Sequence, residues 1–252
     1  MDFDSEAPIV NLPQTISIED AFRAFFKDEI LEDIVHHTNN AFQHKVNKNT
    51  VLKLRDQRWY PLDKSELLKY IGIIITMGQI KLPELSYHWK IHSIFTSGLV
   101  SKTMSINRFK AIGRYLATGP IDKEDKLSRI RTLSDSIQES SIKFYLPRKE
   151  LSVDESMIGF TGRHEFKQYM PMKPTKWGFK AFLLYESTTG YCLKHTIFTQ
   201  AGQVEFQTRN LCNNYLKDSS IRIMIYLWTT FIHLFLSFLI LVKKGFLQLE
   251  RY

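Results

Sequence analysis

Apolar positions in the first third of the chain recur at helical spacing. Ser17, followed by Glu19 and Asp20, supplies a cap and first-turn acids ahead of Ala21, Phe22, Phe25, Phe26, Ile30, Ile34 and Val35, which predicts one amphipathic helix. Beyond the Trp59-Tyr60-Pro61-Leu62 break, Leu67, Leu68, Tyr70, Ile71, Ile73, Ile74, Ile75 and Met77 run on from Ser65, the expected cap, towards a stop at Pro83. That run is apolar almost all round, so it is expected to be the buried central helix of a helical N-terminal half. Further helices are expected over 105–116 and 127–145.

The period changes at Leu151, where Leu151-Ser152-Val153-Asp154 reads as a short strand after Pro147. The aromatic and β-branched runs 178–185 and 191–199 are joined by Ser187-Thr188-Thr189-Gly190, a hairpin-type turn. Three strands in succession predict an antiparallel meander, with Val153 and Asp154 beside 179–185 and that strand beside 193–198, covered by a helix over 203–216. The expected fold class is α+β. Two segments stand apart: 1–15, acidic and proline-punctuated, reads as a disordered lead, and 223–242 holds twenty residues without a formal charge between Arg222 and Lys243-Lys244. That second length can cross a bilayer.

Composition narrows the classes. With 252 residues, 44% hydrophobic and 24% charged, the chain can close a core without disulfides or metal, which excludes wholesale disorder and a collagen-like repeat. Lys and Arg exceed Asp and Glu by 34 to 26, a net charge of +8 that favours a polyanionic partner such as nucleic acid or an acidic membrane surface. Cys192 and Cys212 can form neither a four-thiolate zinc site nor a C-x-x-C pair, which points to a reducing intracellular compartment. His36 and His37 are adjacent and point in different directions, so they complete no ligand face on a helix. The start of the chain lacks the basic-then-apolar layout of a signal peptide, and no Gly-rich phosphate loop or nucleophile elbow is present.

The chemistry concentrates in 151–191. Asp154 and Glu155 fall at the expected strand end, before a small-residue turn, where a carboxylate is held rigidly with its oxygens open to a hard cation such as Mg²⁺. A merely solvated acid pair is the alternative. Behind it come Arg163, His164, Lys167, Lys173, Lys176 and Lys180, interleaved with Phe166, Tyr169, Trp177 and Phe179. Basic charge with aromatic stacking surfaces is the composition of a nucleic-acid groove, set against the alternative of an ordinary solvated loop. Glu186, ahead of Ser187, is read as a turn-forming acid, and Trp59, Trp89, Phe25 and Phe26 are read as core.

The stretch VDESMIGFTGR followed by FKQYMPMKPTKWGFK closely resembles the transposase domain of the piggyBac family, and FFKDEILEDIVHHTN, YIGIIITMGQIKLPELSYHW, MSINRFKAIGRYL and DKLSRIRTL resemble it in family order. The resemblance implies a helical N-terminal region, here 16–146, followed by an RNase H-like DDE core, here partial over 147–217; the disordered lead over 1–15 and a hydrophobic, frameshifted tail over 218–252 are read from composition and reading frame. It makes Asp154 the first of three metal-binding acids and Glu155 a non-ligand. The second acid is expected in a motif of the form M-D-N-F-Y-T-S, but the chain reads Leu227-Trp228-Thr229-Thr230-Phe231-Ile232-His233-Leu234. Codons chosen for 227–238 and read two nucleotides later give M-D-N-F-Y-T-S-I-P-L-F, which predicts a frameshift between about 217 and 226.

The expected function is that of a piggyBac transposable element-derived protein with a truncated DDE domain that no longer catalyses and retains some DNA affinity. Arg163, Lys167, Lys173, Lys176 and Lys180 are the expected DNA contacts, and Asp154 is a remnant catalytic acid offering an incomplete, weak metal site. No cofactor is expected, Mg²⁺ being that of active family members. A nuclear location and a homodimer are what the family implies. Two alternatives stand beside this: an active Mg²⁺-dependent DNA transposase, and a protein anchored and localised to a membrane through 223–242.

Overall fold

The computed structural model describes residues 9–10, 12–13, 15–48, 51–80, 82–90, 98–120, 122, 124–125, 127–148, 150–160, 162, 164–199 and 222–224. They fall into two compact units, a helical one within 27–133 and a sheet-bearing one that joins the described residues up to 26 to those from 134 to 224.

In chain order the helices are α1 (Ile18–Phe25), α2 (Asp28–Lys48), α3 (Leu54–Gln57), α4 (Lys64–Gln79), a 3₁₀ turn at Leu85–Trp89, α5 (Leu99–Thr103), α6 (Ile106–Tyr115) and α7 (Ser128–Phe144). In the helical unit α2 packs on α4 and α6. Leu31, Ile34, Thr38, Ala41 and Phe42 recur at three-, four- and seven-residue steps and are buried, as are Leu67, Tyr70, Ile71 and Ile74 of α4 and Phe109, Ile112 and Tyr115 of α6. Each such aliphatic or phenyl side chain contributes roughly 1.5–3 kcal/mol when removed from water. Trp59 lies 5.2 Å from Phe42 and 4.9 Å from Tyr115 between ring centroids, and Trp89 donates its indole N–H to the Met104 carbonyl at 2.7 Å, so both tryptophans serve packing.

Two charge clusters lie inside this unit. The Arg108 guanidinium forks onto Glu66, Nε to Oε1 at 2.7 Å and a terminal nitrogen to Oε2 at 2.5 Å, with its other nitrogen on the Tyr60 carbonyl. Asp56, 1% exposed, accepts from Lys45 at 2.8 Å and Arg114 at 3.1 Å.

Three local expectations change. The single helix expected from Ser17 is two: Ser17 does cap α1, accepting from the Asp20 N–H, but Phe26 leaves helical geometry and α2 starts anew with Asp28 and Glu29 in its first turn. Phe22, Phe26, Ile30 and Ile34 are spaced by four and read as one stripe, whereas the acid pair marks the positive end of a second macrodipole. At α4 the cap is Asp63, which accepts from the Glu66 N–H at 2.7 Å, and not Ser65. The α4 face is also less uniform than its composition, since Ile75 is 45% exposed.

The sheet unit contains β1 (Ile9–Val10), β2 (Tyr145–Leu146), β3 (Glu150–Gly159), β4 (Lys167–Tyr169), β5 (Trp177–Glu186), β6 (Cys192–Ile197) and β7 (Arg222–Met224). β1 pairs with β2. β5 is central: β3 runs antiparallel along one edge, with Asp154 opposite Leu183, while β4 and β6 share the other edge. β7 lies parallel to β3 on its far side. The expected meander, Val153 and Asp154 to 179–185 to 193–198, is therefore present, and the fold is mixed helix and sheet. The core on this sheet is Tyr145, Leu151, Val153, Phe182, Leu184, Leu193 and Phe198.

Glu186 forms the turn, as expected, with one carboxylate oxygen accepting from the Thr189 N–H at 2.7 Å and its hydroxyl at 2.6 Å while Gly190 takes a positive φ of 71°. α7 is tied to β6 by Ser134, 2.9 Å from His195 Nε2, and by Gln138, which accepts the His195 N–H at 3.0 Å. Burial holds the His195 imidazole down at about 4, well below an unfolded value of 6.5. Its stabilising effect is then complete above pH 6.5 and is lost as pH falls towards 4, a decline of about 3 kcal/mol. Urea titrations at pH 7 and pH 4.5 are expected to show that loss, and His195→Gln is expected to flatten the profile between them.

Among the described residues no helix is long and apolar enough to cross a membrane. Ile223 and Met224, the first and second residues of the run 223–242, lie in strand β7, so that run does not open as a helix. Its remainder and the helix expected over 203–216 lie outside the described residues.

Candidate functional site

Asp154 sits in the middle of β3 and not at a strand end. The strand runs on through Ser156, Met157 and Ile158 because β5 continues to pair with it to Gly159 and Gly178. Alternation along β3 sends Val153 and Glu155 to one face and Ser152, Asp154 and Ser156 to the other. The Asp154 side chain is covered: the residue is 7% exposed and Oδ1 accepts the Glu155 N–H at 2.7 Å. Burial, and behind it the neighbouring Cys192 and Asp154, push the Tyr185 hydroxyl above its usual range. Asp154 thus lies within a paired strand with little exposure, where the sequence predicts a strand end. Pairing to Gly159 removes the turn that was to expose it.

Glu155 has a role the sequence did not suggest. On the opposite face it pairs with Lys180 at 2.5 Å and with Lys173 at 3.8 Å, and Lys173 also donates to the Glu155 carbonyl at 3.2 Å. The Lys180 ammonium lies 4.9 Å from the Phe182 ring centre. Two of the five expected DNA contacts are thus drawn together around an acid and partly neutralised by it.

Lys167 and Lys176 are arranged differently. They belong to a hairpin in which β4 returns as β5, closed by the Met170 N–H donating to the Lys176 carbonyl at 2.8 Å. Lys167 Nζ donates to the Gly162 carbonyl at 3.0 Å and lies 4.9 Å from the Trp177 ring centre. Lys176 is exposed, as are Tyr169 and Trp177. Arg163 lies outside the described residues.

The fold is similar to that of a solved piggyBac transposase synaptic complex with hairpin DNA. That likeness has a TM-score of 0.63 at 22% identity, over 82% of this chain and 49% of that one. A family model described as Transposase IS4, of the piggyBac transposase type, matches residues 19–227. The chain belongs to the piggyBac transposase family. It is 30% identical over 159 residues to PiggyBac transposable element-derived protein 3 of Homo sapiens, covering 62% of this chain and 25% of that protein. The same identity and length relate it to the Chimeric ERCC6-PGBD3 protein of Homo sapiens, of which 14% is covered. The chain therefore spans a quarter or less of the length of these curated relatives.

A two-metal piggyBac-type site needs three acids disposed about the scissile phosphate. Among the described residues no group of three or more His, Cys, Asp and Glu side chains converges to hold a metal ion. On its face of the sheet Asp154 is flanked by Ser152 and Ser156, with Tyr185 opposite Ser152, and these neutral hydroxyls are not carboxylate ligands. The described residues do not fit a two-metal centre.

Proposed function

We propose that this chain is a transposable element-derived DNA-binding protein that has lost strand cleavage. One observation carries the loss. β7 runs parallel to and beside β3, and the chain continues from it into the stretch where the family resemblance puts the second acid. There the sequence reads Leu227-Trp228-Thr229-Thr230 in place of the family's aspartate motif, and the family match stops at residue 227. A shift of reading frame between about 217 and 226 accounts for both, and sequencing the genomic locus and its transcript tests it. An uninterrupted codon series in which the displaced frame does not encode the motif would exclude the shift.

DNA affinity rests on the net charge of +8 and on Lys167 and Lys176 of the exposed hairpin. Nuclear location and homodimerisation follow from the family and belong to the same proposal, to be checked by imaging a tagged chain and by sedimentation. For catalysis the expected result is no excision or nicking by purified protein with Mg²⁺ or Mn²⁺, and no further loss in Asp154→Ala. Without a converging group of three acids, of which the described residues hold none, the developing phosphate charge lacks the electrostatic stabilisation that gives orders of magnitude in rate. Metal-dependent nicking abolished by Asp154→Ala overturns this reading and makes the chain an active transposase.

A further inference from the structure

We propose that the tip of the β4–β5 hairpin is a stacking platform for unpaired nucleobases, so that the chain prefers single-stranded or flipped-out DNA to continuous duplex. This rests on the DNA-binding reading above and assigns it a substrate form. Tyr169 and Trp177 stand directly opposite each other across the two strands, with ring centroids 4.6 Å apart and 38° between their planes. They are 50% and 53% exposed. Large aromatic side chains dominate burial energetics when a fold can enclose them, and here both are held at a strand end with half their surface open to water.

The platform has a rigid root. Two residues further along β5, on the same side as Trp177, Phe179 is 2% exposed and packs on Phe160 and His164 at 4.9 and 5.1 Å between centroids. Lys167, anchored on the Gly162 carbonyl, sits against the Trp177 ring. Rings placed by a strand and a buried neighbour lose little freedom when a base lands on them, so little of the contact energy is spent on ordering.

Charge selects the occupant. Between 163 and 180 stand Arg163, Lys167, Lys173, Lys176 and Lys180 against a single acid, Glu165. Lys173 and Lys180 are partly neutralised by Glu155, which leaves the cationic field at the tip, where Lys176 immediately precedes Trp177 and is exposed. A phosphate backbone tracking Lys176 carries its bases past the two rings. In a continuous duplex both faces of each base are already covered by neighbours, so open rings gain nothing there, whereas an unpaired or extruded base offers a free π-face.

The test measures the full chain against a fluorescently labelled thymidine-rich single strand and a blunt duplex. Trp177→Ala and Tyr169→Ala are each expected to weaken single-strand binding roughly 10- to 100-fold, the scale of one lost base–aromatic stack, with duplex affinity nearly unchanged. Trp177→Phe is expected to retain most of the affinity. Lys176→Gln is expected to weaken both substrates and to reduce the salt slope by about one. In the unmutated chain the single strand is expected to quench tryptophan fluorescence, and Trp177→Phe to remove that quenching, a readout that does not depend on the alanine variants folding. Single-strand affinity unchanged in Trp177→Ala, or an equal loss on duplex, overturns the platform while leaving DNA binding intact. Binding of the unmutated chain to neither substrate overturns both.

Discussion

Asp56→Ala is expected to destabilise the helical unit by about 3–5 kcal/mol, the cost of leaving buried cations without their acid. The carboxylate is 1% exposed and accepts from Lys45 and Arg114, whose side chains are only 18% and 10% exposed. Removing it takes away the acid that both cations share, while Lys45 keeps its hydrogen bond to the Tyr115 hydroxyl at 3.3 Å. Burial by itself pushes the Asp56 carboxyl up, but hydrogen bonds from Lys45 and Tyr115 and the charges of Lys45 and Arg114 hold it below its usual value. Its contribution is therefore present above the unfolded carboxylate range near 3.8 and is lost only as pH falls through the folded value. Urea melts at neutral pH are the measurement, and a loss under about 1 kcal/mol would show that the cluster adds little to stability. Replacing Asp56, Lys45 and Arg114 together by apolar residues of similar volume is expected to recover most of the stability, because no charge is then stranded.

The helices and the meander could be read from the sequence because both rest on periodicity. The steps in α2 and α4, the alternation in β3 and β5, and the Ser-Thr-Thr-Gly turn are local signals that survive without knowledge of the fold. What could not be read depends on partners remote in the chain. β4 is three residues long and exists only because Trp177–Phe179 offers an edge, so in the sequence it is part of a basic loop. Arg108 and Asp56 look like surface charges within basic, polar runs, and their burial is set by Glu66, 42 residues away, and by Arg114, 58 residues away.

The candidate site shows the same limit. Asp154 was identifiable as a strand-borne acid, but its covering was not, since that follows from how far β3 stays paired with β5. The five basic residues from Arg163 to Lys180 were singled out for composition alone. Alternation along β5 sets apart Lys180, on the Glu155 face, from Trp177 and Phe179, which composition cannot show. Glu155, a non-ligand by the family resemblance, organises two of those lysines.

Gly178→Ala is expected to cost more than about 3 kcal/mol, at the upper end of overpacking effects, because the added methyl has no direction in which to yield. A Cβ at this position would lie 2.0 Å from the Ile158 carbonyl oxygen and 3.1 Å from the Gly159 Cα, both backbone atoms of the neighbouring strand. No rotamer change relieves a clash with backbone, so β3 and β5 must separate at the Gly159–Gly178 pair. The same pair lies between the acid strand and the hairpin: Trp177 precedes it, Phe179 follows it, and the Phe160 N–H donates to the Trp177 carbonyl across it at 3.0 Å. Opening it should loosen the Phe160–Phe179 packing and with it the support of the Trp177 ring. The expected result is therefore double, a lowered melting temperature and, at a temperature where the variant remains folded, weaker single-strand binding. Gly72→Ala, at an exposed helical position where a Cβ meets nothing within 4 Å, is the control expected to leave both unchanged or slightly improved. A melting temperature in Gly178→Ala equal to that of the unmutated chain would mean that the two strands do not approach at this pair.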